Sequence, residues 1–75
     1  MNGDYSYGPN AKVSKNRVLK LKEVISVTGL SRSSIYRKIK EKRFPRSIRL
    51  SGQSVGWLEE EVQKWIIDRI AERDV

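Results

Sequence analysis

Residues 21–39 read LKEVISVTGLSRSSIYRKI, and the reading of this stretch decides the fold. It spells a helix, a glycine turn and a second helix capped by serine. Val24, Ile25, Leu30, Ile35 and Ile39 form one apolar set able to pin two short helices together. Gly29 stands where the chain turns sharply, a position that calls for positive φ and no Cβ. Ser31 offers its hydroxyl to the orphan amides of the helix that follows. That second helix then carries Arg32, Ser33, Ser34, Tyr36, Arg37, Lys38 and Lys40 on its other sides, residue types that reach phosphates and base edges. The same glycine and cap would serve any helical hairpin. The basic, hydroxyl-rich chemistry after the turn is what points to a helix-turn-helix that reads double-stranded DNA.

Working outward, residues 18–21 lead into the core and 22–28 form the first helix. The second helix is expected over 32–42, which contains no glycine or proline, with Phe44-Pro45 ending it because the residue before proline is pushed out of the α region. Ser47-Ile48-Arg49-Leu50 and Ser54-Val55-Gly56-Trp57 each alternate polar or small with apolar residues around the glycine-bearing turn Ser51-Gly52-Gln53. Such a pair predicts a β-hairpin, with Ile48, Leu50, Val55 and Trp57 facing the core and Arg46, Arg49 and Gln53 facing outward. A hairpin in this position is a wing. Over 58–73, Leu58, Val62, Trp65, Ile66 and Ile70 recur with helical period and predict one apolar stripe that closes the core. Glu59, Glu60 and Glu61 crowd the first turn of this helix, where they suit the positive end of its dipole rather than acid–base chemistry.

The expected order is helix, helix, hairpin, helix: a mainly α fold with a small β-hairpin, a winged helix-turn-helix over residues 17–75. Residues 1–16 are rich in Gly, Asn, Ser and Tyr without periodic hydrophobicity, and are expected to be a disordered basic tail in which Lys12 and Lys15 lie on DNA or in solvent.

Composition narrows the chemistry. Seventy-five residues make one small domain with a low buried fraction. The chain has no cysteine and no histidine, which disfavours thiolate metal sites, zinc fingers and histidine acid–base catalysis. Neither a cofactor nor an enzymatic activity is expected, because nothing supplies a nucleophile–base pair. No apolar run approaches the ~18–20 residues that span a bilayer, and the first residues lack the apolar segment of a signal peptide. The bacterial cytoplasm, at the nucleoid, is the expected location. The net charge is +7, and it is unevenly spread. Residues 12–49 hold thirteen Lys or Arg against two acids, whereas residues 50–75 hold three against six. A chain so polarised presents a basic face to a polyanion.

The dispersed matches Thr28-Gly29-Leu30-Ser31-Arg32-Ser33, Ile35-Tyr36-Arg37, Phe44-Pro45, Val55-Gly56-Trp57, Glu61-Val62 and Trp65-Ile66 occur in an order that resembles the AlpA family of phage and prophage regulators. These are MerR-like winged helix-turn-helix proteins that overlap with small excisionases. The resemblance covers about fifty residues, nearly everything after the tail. It implies a DNA-binding transcriptional regulator of a phage, prophage or integrative element, acting at an integrase promoter or an attachment site. Lys38 departs from the pattern, standing where such proteins commonly carry an apolar residue and leaving Ile39 to hold the helix down.

On this reading the second helix enters the major groove with Ser33, Ser34, Arg37 and Arg32 nearest the bases. Tyr36, Lys38, Lys40 and Lys42 lie along the phosphates, and the wing touches the adjacent backbone or minor groove through Arg46, Arg49 and Gln53. Two other readings stand beside it. One is an excisionase that bends attachment-site DNA; the other is a protein-interaction module whose acidic last helix binds integrase or RNA polymerase. The last helix is expected to spend its single apolar stripe on the core, so the free protein is expected to be a monomer that lines up in several copies on DNA.

Overall fold

In a computed structural model, which describes residues 16–73, the elements run β1 (Val18–Leu19), α1 (Leu21–Thr28), α2 (Arg32–Lys40), β2 (Ile48–Ser51), β3 (Ser54–Leu58) and α3 (Glu59–Glu72). The strands form one antiparallel sheet in the order β1-β3-β2. The fold is a winged helix-turn-helix, mainly α with a small hairpin, as the periodicities predict. All of the expected tail but its last residue, Asn16, lies outside the described residues.

The helix pair forms for the reasons its sequence contains. At the start of α1 the Glu23 carboxylate accepts from the Lys20 backbone N–H at 2.8 Å, half of a capping box. Gly29 ends α1 with φ of 75°, and its N–H donates to the Ile25 carbonyl. Ser31 then caps α2, its hydroxyl accepting from the Ser34 N–H at 3.1 Å. Val24 and Ile35 are fully buried, and Ile25, Leu30 and Ile39 pack against them, so the apolar set does pin the two helices. Trp57 and Val62 close the core from β3 and α3, and Phe44 joins them from the connector. Such burial stabilises by about 1.5–3 kcal/mol per large side chain.

Strand β1 goes beyond the expected lead-in. Val18 and Leu19 pair with Leu58 and Trp57, so the wing becomes a three-stranded sheet. The Glu59 N–H donates to the Arg17 carbonyl at 2.8 Å, which ties the first turn of α3 to the chain just before β1.

Three expectations need correction. Helix α2 stops at Lys40, not Lys42. Lys42 takes φ of 63°, its N–H donates to the Ile39 carbonyl, and the Arg43 N–H donates to the Lys38 carbonyl at 2.7 Å. This bond pair is a Schellman motif, and it ends the helix before Phe44-Pro45 can. Second, Ile48 and Leu50 do not face the core with Val55 and Trp57, and are 38 and 44% exposed. The register places Ile48 opposite Gly56 and Arg49 opposite Val55, so the two apolar pairs fall on opposite faces of the sheet. Third, Ile70 does not belong to the buried stripe of α3. It is 49% exposed, as Ile67 is at 60%, because Val62, Trp65 and Ile66 already cover the sheet and the last turns run past it. The helix therefore does keep a second, small apolar pair.

Gly56 shows why β3 carries glycine at its centre. A Cβ there would lie 2.4 Å from Val18 Cγ1, 3.1 Å from the Leu19 carbonyl oxygen and 3.2 Å from Leu50 Cδ1. The flanking strands close over the position, and only hydrogen fits.

Candidate nucleic-acid interface

Helix α2 has one buried side and one open side. With Ile35 at the core, a turn of roughly 100° per residue carries Ser33, Arg37 and Lys40 to the opposite side. All three are exposed. The helix holds four cations, Arg32, Arg37, Lys38 and Lys40, and no acid. Among the described residues no carboxylate lies within ion-pair distance of any of them. The ridge Ser33–Arg37–Lys40 is therefore an unspent basic surface on a helix anchored from behind.

One flank of the ridge is held firmly. Tyr36 stands edge-on to Trp57 with ring centroids 6.2 Å apart, and the Arg32 guanidinium lies 5.9 Å over its ring. Tyr36 is thus backed by a fully buried indole while remaining half exposed. Ser34 also serves the helix cap. Its hydroxyl and N–H both engage Ser31 in the helix cap, so it does not stand on the ridge.

Lys38 also leaves the ridge. It is half buried and turns toward α3, into an open groove it shares with Leu30, Lys42, Arg43, Phe44, Trp65 and Arg69. Among the expected contacts, Arg32, Ser33, Tyr36, Arg37 and Lys40 come together on or beside the ridge. Lys38 and Lys42 form a separate group with Arg43 and Arg69, two arginines outside the expected contacts. The spacing Trp65–Arg69, one turn apart on α3, is the signal that points to one of them: Arg69 stacks 5.2 Å above the Trp65 ring.

The wing divides its cations as well. Arg49 donates weakly to the Gly52 carbonyl at 3.4 Å, stiffening the turn that presents Gln53. Arg46 sits away from that turn, in a groove with Ile48 and the α3 residues Glu61, Lys64 and Asp68. Lys20, absent from the expected set, donates to Ser54 Oγ and ties the end of β1 to the wing.

Two tryptophans hold the connector between ridge and wing. The Trp57 indole N–H donates to the Pro45 carbonyl at 3.1 Å, and the Trp65 indole N–H donates to the Arg43 carbonyl at 2.8 Å. Phe44 lies between, buried and edge-on to Trp65 at 5.0 Å. Each indole N–H meets a carbonyl that no ladder satisfies, so the wing and α2 keep a set relation.

Among the described residues no helix is long and apolar enough to cross a membrane, and no group of acidic residues could hold a metal ion. The geometry offers a basic helix, a wing and a rigid joint between them.

The family described as "Prophage CP4-57 regulatory protein (AlpA)" matches residues 17–70, from the residue before β1 through most of α3. An uncharacterised protein, ORF88, of Enterobacteria phage P4 is 42% identical over 65 residues, which is 87% of this chain and 74% of the phage protein. The DNA-binding transcriptional activator AlpA of Escherichia coli strain K12 is 37% identical over 59 residues, 71% of this chain and 84% of that protein. The match spans all the elements that set the ridge against the wing, and with it the chain belongs to the AlpA family of prophage regulatory proteins.

Proposed function

We propose that this protein is a sequence-specific double-stranded DNA-binding transcriptional regulator of a phage, prophage or integrative element, acting at an integrase promoter or attachment site. The observation that carries the reading is the exposed ridge Ser33–Arg37–Lys40 on a helix with four cations and no acid, locked from behind by Ile35. Helix α2 lies in the major groove, with Arg37 and Ser33 at base edges and Lys40 at a phosphate. Arg32 and Tyr36 act along one flank of the helix, and Arg49 and Gln53 bring the wing to the neighbouring backbone. The name of the Escherichia coli relative, a transcriptional activator, supports activation as the outcome. Such a role places the protein at the bacterial nucleoid.

The test is selection of binding sites from randomised duplexes, followed by Arg37→Ala. Loss of a base contact costs about 1–3 kcal/mol on the selected site and less on random DNA. Equal loss on both makes Arg37 a phosphate contact and refutes its assignment as a base reader. Footprinting on the DNA flanking the protein's own gene, with a reporter for the integrase promoter, then identifies the target.

A further inference from the structure

We propose that the groove between the end of α2 and the last turns of α3 is a second phosphate-binding track, which grips the DNA backbone beside the major groove occupied by α2. It rests on the DNA-binding reading above. Four cations converge there, Lys38, Lys42, Arg43 and Arg69, against one carboxylate, Glu72. The groove is open and about 600 Å³ in volume, room for a sugar-phosphate unit.

These charges are held in place. The Schellman turn projects Lys42 from a left-handed backbone position and brings Arg43 back toward α3, where its carbonyl is caught by the Trp65 indole. Arg69 lies over the same indole, and its Nη2 meets Glu72 Oε2 at 2.6 Å. Arg43 has only a loose contact with Glu41 at 3.9 Å, worth little on an exposed surface. Lys38 and Lys42 have no acid within ion-pair distance among the described residues. Against Glu72 and the loosely placed Glu41 the four cations leave an excess of positive charge, which costs electrostatic energy unless an anion offsets it.

Position selects the anion. A helix about 10–12 Å across fills a major groove about 12 Å wide, so each flank of α2 meets one wall of phosphates. Tyr36 faces one wall. Lys38, roughly 100° further round than Arg37, faces the other, and from it the groove continues over Lys42 and Arg43 to Arg69. A nucleic-acid backbone lying against that wall reaches all four cations in succession, whereas an acidic polypeptide would have to displace the DNA from the flank of α2. Glu72 opposes the phosphate for Arg69 and acts as a partial lock on the track.

The test uses the full-length chain with a random-sequence duplex and with a duplex selected as above. The double variant Arg43→Gln, Arg69→Gln should weaken binding to both and flatten the dependence of log K on log salt by about 1.8, at about 0.9 per lost contact. Arg69→Lys keeps the charge without the planar stack and should retain the slope if folding is intact by circular dichroism. Glu72→Gln should tighten binding and steepen the slope. Lys64→Gln removes one charge from the same helix outside the groove and should move the slope far less. Ethylation of the phosphates flanking the selected site should interfere with the wild type and not with the double variant. An unchanged slope in the double variant, or a Lys64→Gln effect equal to that of Arg69→Gln alone, overturns the proposal. So does loss of binding to a polyglutamate peptide with DNA binding intact, since the groove would then serve an acidic polypeptide. A wild type that binds no duplex refutes the DNA reading itself. A wild type that binds and selects sequence while the double variant keeps its slope refutes the groove alone.

Discussion

Lys42→Gly separates stability from binding, because one residue carries a backbone cost and a charge. Lys42 occupies the left-handed position of the Schellman turn with φ of 63°, its side chain exposed. An L-residue there costs roughly 1–2 kcal/mol through the approach of Cβ to the following carbonyl. Glycine removes that cost but gains freedom in the unfolded chain, returning about 0.4–1 kcal/mol. The net expectation is a more stable protein by about 0.5–1 kcal/mol, a rise in Tm of about 2–8 °C for a domain of this size. Both hydrogen bonds of the turn involve main-chain atoms and survive the substitution. On DNA the change runs the other way: loss of the ammonium should weaken binding to every sequence and flatten the salt slope by about 0.9. Lys42→Asn, which tolerates the left-handed region and also lacks the charge, should match the glycine variant on DNA and fall between it and wild type in Tm. Thermal melting by circular dichroism and salt titration of a fluorescent duplex measure the two halves. A lower Tm for Lys42→Gly would refute the strain argument and show that the lysine side chain stabilises the fold directly.

Gly56→Ala places a methyl 2.4 Å from Val18 Cγ1, a stiff β-branched side chain, and 3.1 Å from the Leu19 carbonyl. It should cost about 1–3 kcal/mol in urea unfolding, and wild-type stability would mean that β1 is free to move away. Trp57→Phe removes a part-buried bond to Pro45 and leaves a void, together about 2–3 kcal/mol, whereas Trp65→Phe loses a bond near solvent and should cost about 1 kcal/mol or less. Equal costs would contradict that contrast. Ile67 and Ile70 cover far less than the ~1,200 Å² of a stable interface, so sedimentation should show a monomer at micromolar concentration. A dimer without DNA that Ile67→Asp dissolves would make this pair the interface.

The helix-turn-helix was legible because its determinants are local. Gly29 and Ser31 act within one turn of their own positions, and the apolar set from Val24 to Ile39 has a single period to obey. The wing was legible as a hairpin but not in its facing. Alternation tells which residues of one strand share a face; it says nothing of the register between strands. Ile48 and Leu50 therefore paired in the sequence reading with Val55 and Trp57, from which a one-residue offset divides them. Strand β1 escaped notice because two residues carry no period at all, and its existence depends on Leu58 and Trp57, some forty positions away.

The site divides along the same line. Arg37 and Lys40 follow from helical spacing relative to Ile35, so their exposure was predictable. The position of Lys38 was not, because helical spacing puts it on a flank of the helix and does not say which element packs beside that flank. Lys38 starts from a half-buried position on the flank of its helix, so it must extend its ammonium out of the fold, and it does so into the groove that holds Arg69. Only the partner helix shows that this lysine joins a cluster. Arg43 required still more distant information, since it is held by a tryptophan twenty-two positions later. The proposed base-facing ridge is written in one helix, whereas the proposed phosphate track depends on which helices the fold brings together.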